Sequence, residues 1–452
     1  MTSPFLVDAL LLGRYRLHSP LRQETRRVVW RAHDQVLGRE VVLKGAYGLE
    51  PEPLTSQVVD EFRRLKRLAH PQLVPAFDLH RVRHDSSDPF TVTFFSQPWL
   101  EGPSALTLRG KLSEEALTEL AITLLELVAW LHQQGLRQLD LKSEHLLRVG
   151  ERWVLIDLDQ ARLEDPIAAA QRHGTPTYAA PELRDGSPGT VQSDLFSVGV
   201  ILYEVLHGCR PCGEDSNSPP LSGRTPRDSE SKPLSKLIPL LMEVRAEARP
   251  SSADAALVVL GHARRPTFGP WPTTDLLERE SVLLALQAML SATHAPSQTD
   301  PLPSRASSVV LMGSPGSGRT RLLQELGQLQ QEKGGPTLHL DRTLYGTAPL
   351  SSVETLCRWL VSLGGQEPTA GSLHPADAFA SEPSRAREGA ILSALSRLAH
   401  IATTALPHLQ APALLLLDEP ELLDELSREV LRRRVSATWP RFVRSSEMPE
   451  GP

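Results

Sequence analysis

The chain has 452 residues, of which 48 are lysine or arginine and 54 are aspartate or glutamate, so its formal net charge is −6. With 40% hydrophobic residues and three cysteines, it is predicted to form two or three domains, and a disordered, collagen-like or disulfide-scaffold protein is excluded. The mildly acidic balance argues against a protein that mainly binds nucleic acid or an anionic membrane. No stretch supplies the roughly 18 apolar residues of a membrane helix, and no basic region precedes the short apolar run at the N-terminus. We therefore expect a cytoplasmic protein with neither nucleic acid nor a membrane as partner.

The first part of the chain contains two kinds of segment. Residues 39–43 and 153–156 are short and rich in valine, isoleucine and leucine, which predicts strands, whereas 114–133 and 193–206 have the 3.6-residue period of helices. A strand-rich front and a helix-rich back predict a two-lobed α+β domain over residues 1–264.

The proline-rich stretch at residues 265–273 predicts a linker between domains. Beyond it, the sequence predicts a helix over 276–290, a buried strand over 308–313, a helix over 320–332 and an apolar strand over 413–417. Strands that alternate with helices in this way predict a parallel α/β domain over residues 274–452.

Charged motifs follow one another in the first domain. Lys44 ends a β-type run, and Glu61 lies in the helix-patterned segment after it. The later motifs are Gln138-Leu139-Asp140-Leu141-Lys142, Leu155-Ile156-Asp157-Leu158-Asp159, Ala180-Pro181-Glu182 and Ser193-Asp194-Leu195. From about Tyr15 to about Ala263, this ordered set resembles a eukaryotic-type serine/threonine protein kinase of the bacterial kind. The resemblance implies the bilobal protein-kinase fold.

The resemblance also implies a role for each charged residue in phosphoryl transfer from ATP. Lys44 would hold the α- and β-phosphates, and Glu61 would orient Lys44 through an ion pair. Asp157 would bind Mg²⁺, a hard cation that prefers oxygen ligands. Asp140 would accept or orient the proton of the substrate hydroxyl, with Lys142 beside the γ-phosphate.

The segment that is similar to the link between kinase lobes covers residues 95–102. The carbonyl of Pro98 would accept a hydrogen bond from adenine and Leu100 would donate its own N–H, so the missing N–H of proline does not prevent adenine binding. Val29 is the remaining nucleotide contact that we expect in this domain.

Three residues match structural positions of the kinase family. Glu182 and Arg249 match its buried ion pair, and Asp194 matches the acid that braces the catalytic loop. Because removing one member of a buried pair destabilises a protein, these residues are expected to support folding rather than catalysis.

Two departures from the family pattern affect nucleotide binding and activation. Residues 21–29, at the position of the glycine-rich loop, contain no glycine, so their side chains would keep the backbone away from the phosphates. The motif around Asp140 lacks the arginine that pairs with a phosphorylated activation loop, so we expect no activation by loop phosphorylation.

Two further replacements change the predicted metal site. His145 stands in place of the metal-binding asparagine, and Asp159 stands two residues after Asp157 in place of a glycine. Asp159 is either a solvated loop residue or the source of the oxygen that His145 cannot supply. With Asp157, Asp159 and His145 as candidate ligands, we expect the site to accept Mn²⁺ at least as well as Mg²⁺.

The second domain contains a glycine-rich turn between a strand and a helix. Gly313, Gly316 and Gly318 precede Arg319 and Thr320 in a pattern that fits G-x-x-x-x-G-K-[ST], with arginine in place of lysine. Backbone N–H groups of the turn and the helix N-terminus would cradle phosphates, and Thr320 would contact Mg²⁺. Because arginine cannot place a compact ammonium between phosphates, we expect turnover to suffer more than binding.

Asp418 and Glu419 follow the second apolar strand. Together with the glycine-rich turn, they resemble the AAA/STAND-type ATPase module that some bacterial kinases carry behind the kinase domain. The resemblance implies that Asp418 reaches the metal through water and that Glu419 polarises an attacking water. No apolar strand follows at the position of the sensor that such modules use, so we expect an incomplete P-loop domain.

These features predict a serine/threonine protein kinase-like signalling protein that binds ATP with Mg²⁺ or Mn²⁺. Its phosphotransfer to an unidentified protein substrate is expected to be weak or regulatory. The retained Asp140 and Lys142 favour this enzyme, whereas the missing glycines favour a pseudokinase scaffold that transfers nothing. A STAND-like nucleotide switch that uses the kinase fold as a sensor is the third interpretation.

Overall fold

The computed structural model describes residues 6–24, 26–49, 53–68, 70–83, 90–137, 140–158, 162–163, 176–211, 233–262, 279–292, 308–313, 317–341, 344, 348–368, 383–406, 409, 413–419, 422–433 and 441–447. The predicted linker at 265–273 therefore lies outside the described residues. Among the described helices, none combines the length and the apolar character needed to cross a membrane.

The front of the chain forms an antiparallel sheet and one helix. The elements are β1 (Leu10–Leu11), β2 (Tyr15–Gln23), β3 (Arg27–Asp34), β4 (Arg39–Leu49), α1 (Pro53–Arg67), β5 (Leu79–Arg83) and β6 (Phe90–Pro98). The strand order is β1-β2-β3-β4-β6-β5. Along β3, Val28, Trp30 and Ala32 are buried and alternate with partly exposed residues, as expected for a strand with one face on a core.

The middle of the chain is mainly helical. Its elements are α2 (Glu114–Gln133), β7 (Leu136–Arg137), β8 (Leu146–Val149), β9 (Arg152–Leu155), β10 (Arg162–Leu163), α3 (Pro181–Arg184), α4 (Val191–His207), α5 (Pro233–Leu241) and α6 (Ala253–Val259). Side-chain caps fix the starts of α2 and α4: Ser113 accepts a hydrogen bond from the N–H of Ala116, and Thr190 and Ser193 form a capping box. Gly208, with φ 74°, ends α4 in the left-handed region that glycine adopts without strain.

The last part of the chain forms a parallel sheet with helices. Its elements are α7 (Glu280–Ala292), β11 (Ser308–Gly313), α8 (Arg319–Glu332), β12 (Thr337–Leu340), α9 (Ser351–Ser362), α10 (Pro383–Ala405), β13 (Leu414–Leu417), α11 (Glu425–Arg433) and β14 (Arg441–Glu447). The strand order is β11-β14-β13-β12, and every pairing is parallel. The four leucines of β13 are buried, which is typical of an inner strand of such a sheet.

One expectation about this sheet is wrong. We expected no apolar strand, and hence an incomplete sheet, at the sensor position, yet β14 lies between β11 and β13 and pairs with both. The segment contains only Phe442 and Val443 as apolar residues between charged and polar ones. A buried parallel strand is usually a continuous apolar run, so the composition of β14 concealed a strand that is defined by its backbone pairing.

The chain divides into two compact units. One unit contains Met1–Phe62, Ala76–Trp99 and Asp275–Pro452, and the other contains Arg63–Pro75 and Leu100–Thr274. The first unit therefore holds both the antiparallel front sheet and the parallel C-terminal sheet. The second unit holds the helical middle of the chain.

Candidate functional site

Lys44 lies on β4 of the front sheet and forms an ion pair with α1. Its Nζ is 3.2 Å from Oε1 of Glu61, and the side chains are 14% and 7% exposed. Phe62, which follows Glu61, packs against Phe95 of β6 with ring centroids 5.9 Å apart. Because this pair is largely shielded from water, its electrostatic attraction is screened less than that of a surface pair. The structure thus holds a lysine cation in a fixed position on the sheet.

The hairpin between β2 and β3 is closed by its own side chains. Arg22 donates two hydrogen bonds to Oε1 of Glu24, at 2.9 and 2.6 Å, and both side chains are at least half exposed. The N–H of Glu24 donates to the carbonyl of Arg27 at 2.9 Å. Val29, on β3, is the register partner of Lys44 on β4, so these two predicted nucleotide contacts lie side by side.

The remaining adenine contacts fall in different units. Pro98 is the last residue of β6 in the first unit and pairs in register with Val41. Leu100 belongs to the second unit. The sequence-based role of both residues in adenine binding stays a prediction.

In the second unit, the predicted catalytic residues Asp140 and Lys142 come just before a short 3-10 turn that covers Ser143–His145. Lys142 Nζ is 3.4 Å from Oδ2 of Asp140 and 3.1 Å from Oε1 of Glu144. Lys142 is buried, while the side chain of Asp140 is 15% exposed. A carboxylate that is held beside a lysine and still reaches solvent can receive a substrate hydroxyl.

His145 lies against the predicted metal ligand. Its Nε2 is 3.4 Å from Oδ2 of Asp157, and the two side chains are 9% and 18% exposed. Within the described part of the chain, no group of three or more histidine, cysteine, aspartate or glutamate side chains could hold a metal ion. Asp159 lies outside the described residues. Mg²⁺ is often bound by one or two carboxylates and the substrate phosphates, so Asp157 fits a site that nucleotide oxygens complete.

A buried carboxylate supports the catalytic loop from α4, and the sequence analysis missed it. Glu204 is fully buried, and its Oε2 accepts hydrogen bonds from the hydroxyls of Ser143 at 2.5 Å and Tyr178 at 2.6 Å. Its Oε1 accepts from Nε of Arg210 at 3.0 Å. Burial and the hydrogen bond to Glu204 raise the pKa of Tyr178 to about 12. A single glutamate within the apolar helix α4 was the available sequence signal, because a buried charge requires partners.

The three predicted structural residues make buried polar contacts in the same unit. Arg249 donates to both carboxylate oxygens of Glu182, at 2.7 and 2.9 Å. Asp194, which is 1% exposed, lies 2.8 Å from Nε2 of His132. The first contact joins α3 to the segment around Arg249, and the second joins α2 to α4.

The glycine-rich turn of the second predicted site lies where β11 ends and α8 begins. Gly313 is the last residue of β11, and Gly318 has φ 84° immediately before Arg319 starts α8. Thr320 is exposed in the first turn of α8. Gly316 lies outside the described residues. The free N–H groups at this helix start can bind phosphate oxygens.

Asp418 and Glu419 lie at the carboxyl end of β13. Asp418 is 6% exposed, and its N–H donates to the carbonyl of Leu340 at 3.0 Å. Glu419 has φ 49°, which is uncommon for a residue other than glycine and often marks a functional turn. Since β11 and β13 belong to one parallel sheet, Gly313 and both acids lie at the same edge, where such sheets bind ligands.

Comparison with known families gives the class of protein to which these two sites belong. The protein kinase domain model matches residues 26–258, just over half of the chain, so the chain belongs to the protein kinase family. An AAA domain model matches residues 302–441. The protein is therefore a eukaryotic-type kinase domain, of the kind found in bacteria, that is joined to an AAA module.

The chain is similar to several bacterial serine/threonine-protein kinases. It is 32% identical over 289 residues to the DNA damage-responsive serine/threonine-protein kinase RqkA of Deinococcus radiodurans, which covers 58% of this chain and 41% of RqkA. It is 29% identical over 291 residues to the serine/threonine-protein kinase pkn2 of Myxococcus xanthus, covering 58% of this chain and 34% of pkn2. The chain thus spans less than half the length of these curated relatives. Kinase-like signalling is the function that the family and these relatives support.

Proposed function

We propose that the protein is an ATP-dependent serine/threonine protein kinase of low activity, in which Asp140 and Lys142 carry the phosphotransfer chemistry. The observation that carries the proposal is the 3.2 Å ion pair between Lys44 and Glu61. A kinase needs this pair in place before the lysine can hold the nucleotide phosphates. A scaffold without nucleotide chemistry has no need to keep a lysine and a glutamate together at this position.

The residues of this chain divide the task between binding and proton transfer. ATP with its divalent metal supplies the phosphoryl group when it is bound. Lys44 holds the phosphates, Asp157 holds the metal, and Asp140 accepts the proton of the substrate hydroxyl. The substrate is a hydroxyl-bearing side chain of a protein.

The low activity follows from two features of this chain. The hairpin around Arg22 and Glu24 has side chains where the family has glycine, so fewer backbone N–H groups approach the phosphates. His145 lies against Asp157 and supplies no oxygen ligand for the metal. Both features weaken the positioning and charge stabilisation on which phosphoryl transfer depends.

The AAA module is proposed to bind a second nucleotide. Arg319 and Thr320, at the start of α8, would hold its phosphates and metal, with Asp418 and Glu419 at the same edge of the sheet. Because Arg319 replaces lysine, binding is expected to exceed turnover.

Transfer of labelled γ-phosphate from ATP to a generic basic protein tests the kinase proposal. With the full chain and either Mg²⁺ or Mn²⁺, Lys44→Met is expected to reduce the rate about a hundredfold, because a cation that stabilises the transferring phosphate is lost. Lys111→Met is the matched control, since Lys111 is exposed and contacts only its own loop through the carbonyl of Thr107 among the contacts described. Equal rates for wild type and Lys44→Met would favour the pseudokinase scaffold, which the glycine-free hairpin supports.

A further inference from the structure

Helix α8 of the AAA module contacts β5, an outer strand of the antiparallel front sheet, which we call the kinase sheet. Both elements belong to the first unit. Gln331, near the C-terminal end of α8, is 6% exposed. Its Oε1 accepts a hydrogen bond from the N–H of Leu79 at 3.2 Å, and its Nε2 donates to Oδ1 of Asp78 at 3.0 Å. Leu79 is the first residue of β5, so the side-chain oxygen of Gln331 accepts from this strand as a main-chain carbonyl of a neighbouring strand would. A buried amide whose oxygen and nitrogen are both hydrogen-bonded at the start of one strand fixes the helix to that strand.

Asp78 belongs to a largely buried ionic network at the ends of three strands of the kinase sheet. Its Oδ2 accepts from Nη2 of Arg14 at 2.8 Å, and Arg14 also donates two hydrogen bonds to Asp34, at 2.9 and 2.7 Å. Oδ1 of Asp34 accepts from the N–H groups of Val36 and Leu37, at 3.1 and 3.2 Å. The network therefore extends from Gln331 across the sheet to the turn after β3.

The turn after β3 provides the second contact with the AAA module. Val36 is 1% exposed and belongs to the same hydrophobic core as Leu338, Leu356 and Trp359, and Leu37 packs against that core. A side chain at Gly13 would meet the carbonyl oxygen of Ser362 at 2.6 Å, which shows how closely the two backbones approach. The AAA module thus holds the kinase sheet at two places that the Arg14 network connects.

The register of the kinase sheet leads from this contact to the nucleotide-binding lysine. Leu79 of β5 is the partner of Phe95 of β6, and Phe95 is the partner of Lys44 of β4. Gln331 is therefore hydrogen-bonded to the first residue of a cross-strand row that includes Phe95 and Lys44. The other end of α8 begins with Arg319, so a helix of 14 residues, about 21 Å long, connects the proposed nucleotide site of the AAA module to this row.

We propose that α8 couples nucleotide binding by the AAA module to the kinase sheet, and that Gln331 is the coupling residue. The proposal rests on the proposed binding of nucleotide at Thr320. Nucleotide that orders the start of α8 strengthens the hydrogen bonds of Gln331 at the other end of the helix. It thereby stabilises β5, which is separated from the strand of Lys44 by β6 alone. Coupling of this kind is a free-energy difference. It is therefore measured at one site, by comparing the protein with and without ligand at the other site.

Hydrogen–deuterium exchange of the Leu79 amide in the full chain tests the coupling. Saturating ATPγS with Mg²⁺ is expected to slow this exchange about tenfold in the wild type, equivalent to one strengthened hydrogen bond. Thr320→Ala is expected to remove that response without changing exchange in the absence of nucleotide. Gln331→Leu is expected to speed the exchange without nucleotide and to remove the response. Gln331→Glu is a second variant at this position and changes the side-chain volume little. It keeps an acceptor for the N–H of Leu79 but places a negative charge opposite the carboxylate of Asp78.

Gln324→Leu is the matched control, because Gln324 lies on the exposed face of the same helix. It should keep the nucleotide response of the wild type. A response that persists in Gln331→Leu, or no response when nucleotide binding is shown to depend on Thr320, would overturn the proposal. Nucleotide binding that does not depend on Thr320 would also overturn it. In that case the labelled-phosphate assay of Lys44→Met would still test the kinase function separately.

Discussion

Arg249→Leu is expected to destabilise the second, mainly helical unit by about 3–5 kcal/mol, because it leaves the largely buried carboxylate of Glu182 without its cation. The Arg249 side chain is 0% exposed and that of Glu182 is 18% exposed. Besides its two bonds to Glu182, the guanidinium donates to the carbonyls of Glu243 at 2.7 Å, Gln192 at 2.9 Å and Val244 at 3.1 Å. The substitution removes all of these donors together.

This loss of stability is measured by unfolding the full chain in denaturant and monitoring the transition with a spectroscopic probe in the second unit. Arg245→Leu is the matched control, because Arg245 is exposed in the same turn and its loss should change the free energy of unfolding by less than about 0.5 kcal/mol. An equal effect of the two substitutions would contradict the assignment of Arg249 as a structural residue.

The ion pair between Arg249 and Glu182 also predicts how the stability of the fold depends on pH. Burial alone would raise the pKa of Glu182, but hydrogen bonds from Arg249, its own backbone and Ser193 lower it. A carboxyl group with a lowered pKa stabilises the fold above its unfolded pKa of about 4.3, and this contribution disappears as pH falls through the folded value. The difference in stability between wild type and Arg249→Leu should therefore narrow in acid.

Asp140→Asn is expected to reduce phosphotransfer by about 10²–10⁴-fold, the range over which a positioned general base contributes to rate. The amide keeps the size of the side chain but cannot accept the substrate proton, and Lys142 keeps its contact with Glu144 at 3.1 Å. Folding should therefore persist while the rate falls.

Labelled-phosphate transfer, with nucleotide affinity measured in parallel, tests this expectation. Nucleotide affinity should change little, since Asp140 acts on the substrate hydroxyl. Asp185→Asn, at an exposed position after α3, is the matched control. A rate that Asp140→Asn leaves unchanged would remove Asp140 from the catalytic role.

Elements with strong local signals were predictable from the sequence. The helix expected over residues 114–133 has those bounds, because Ser113 caps its start and apolar residues recur along one face. The strand expected over 308–313 also has those bounds. The lysine on β4 and the glutamate on α1 were predicted to pair, and the structure places Lys44 3.2 Å from Glu61.

Features that depend on distant partners were not predictable in this way. The strand β14 is defined by pairing with β11 and β13, whereas its own composition is polar. Glu204 has a role because Ser143 and Tyr178 point to it from other segments. Gln331 looks like any polar residue of an amphipathic helix, yet its partners lie 252 and 253 positions away in the chain. Such contacts follow from the tertiary fold, which local periodicity does not specify.

His145→Asn provides the most direct test of the central claim, that this kinase retains phosphotransfer but is weakened at its metal site. Asparagine supplies the carbonyl oxygen that Mg²⁺ prefers, where the Nε2 of His145 now lies 3.4 Å from Asp157. With Mg²⁺, the variant is expected to transfer labelled phosphate about tenfold faster than wild type, equivalent to about 1.4 kcal/mol of barrier. His207→Asn, at the end of α4, should leave the rate unchanged. No transfer by wild type or by His145→Asn, with either Mg²⁺ or Mn²⁺, would contradict the claim.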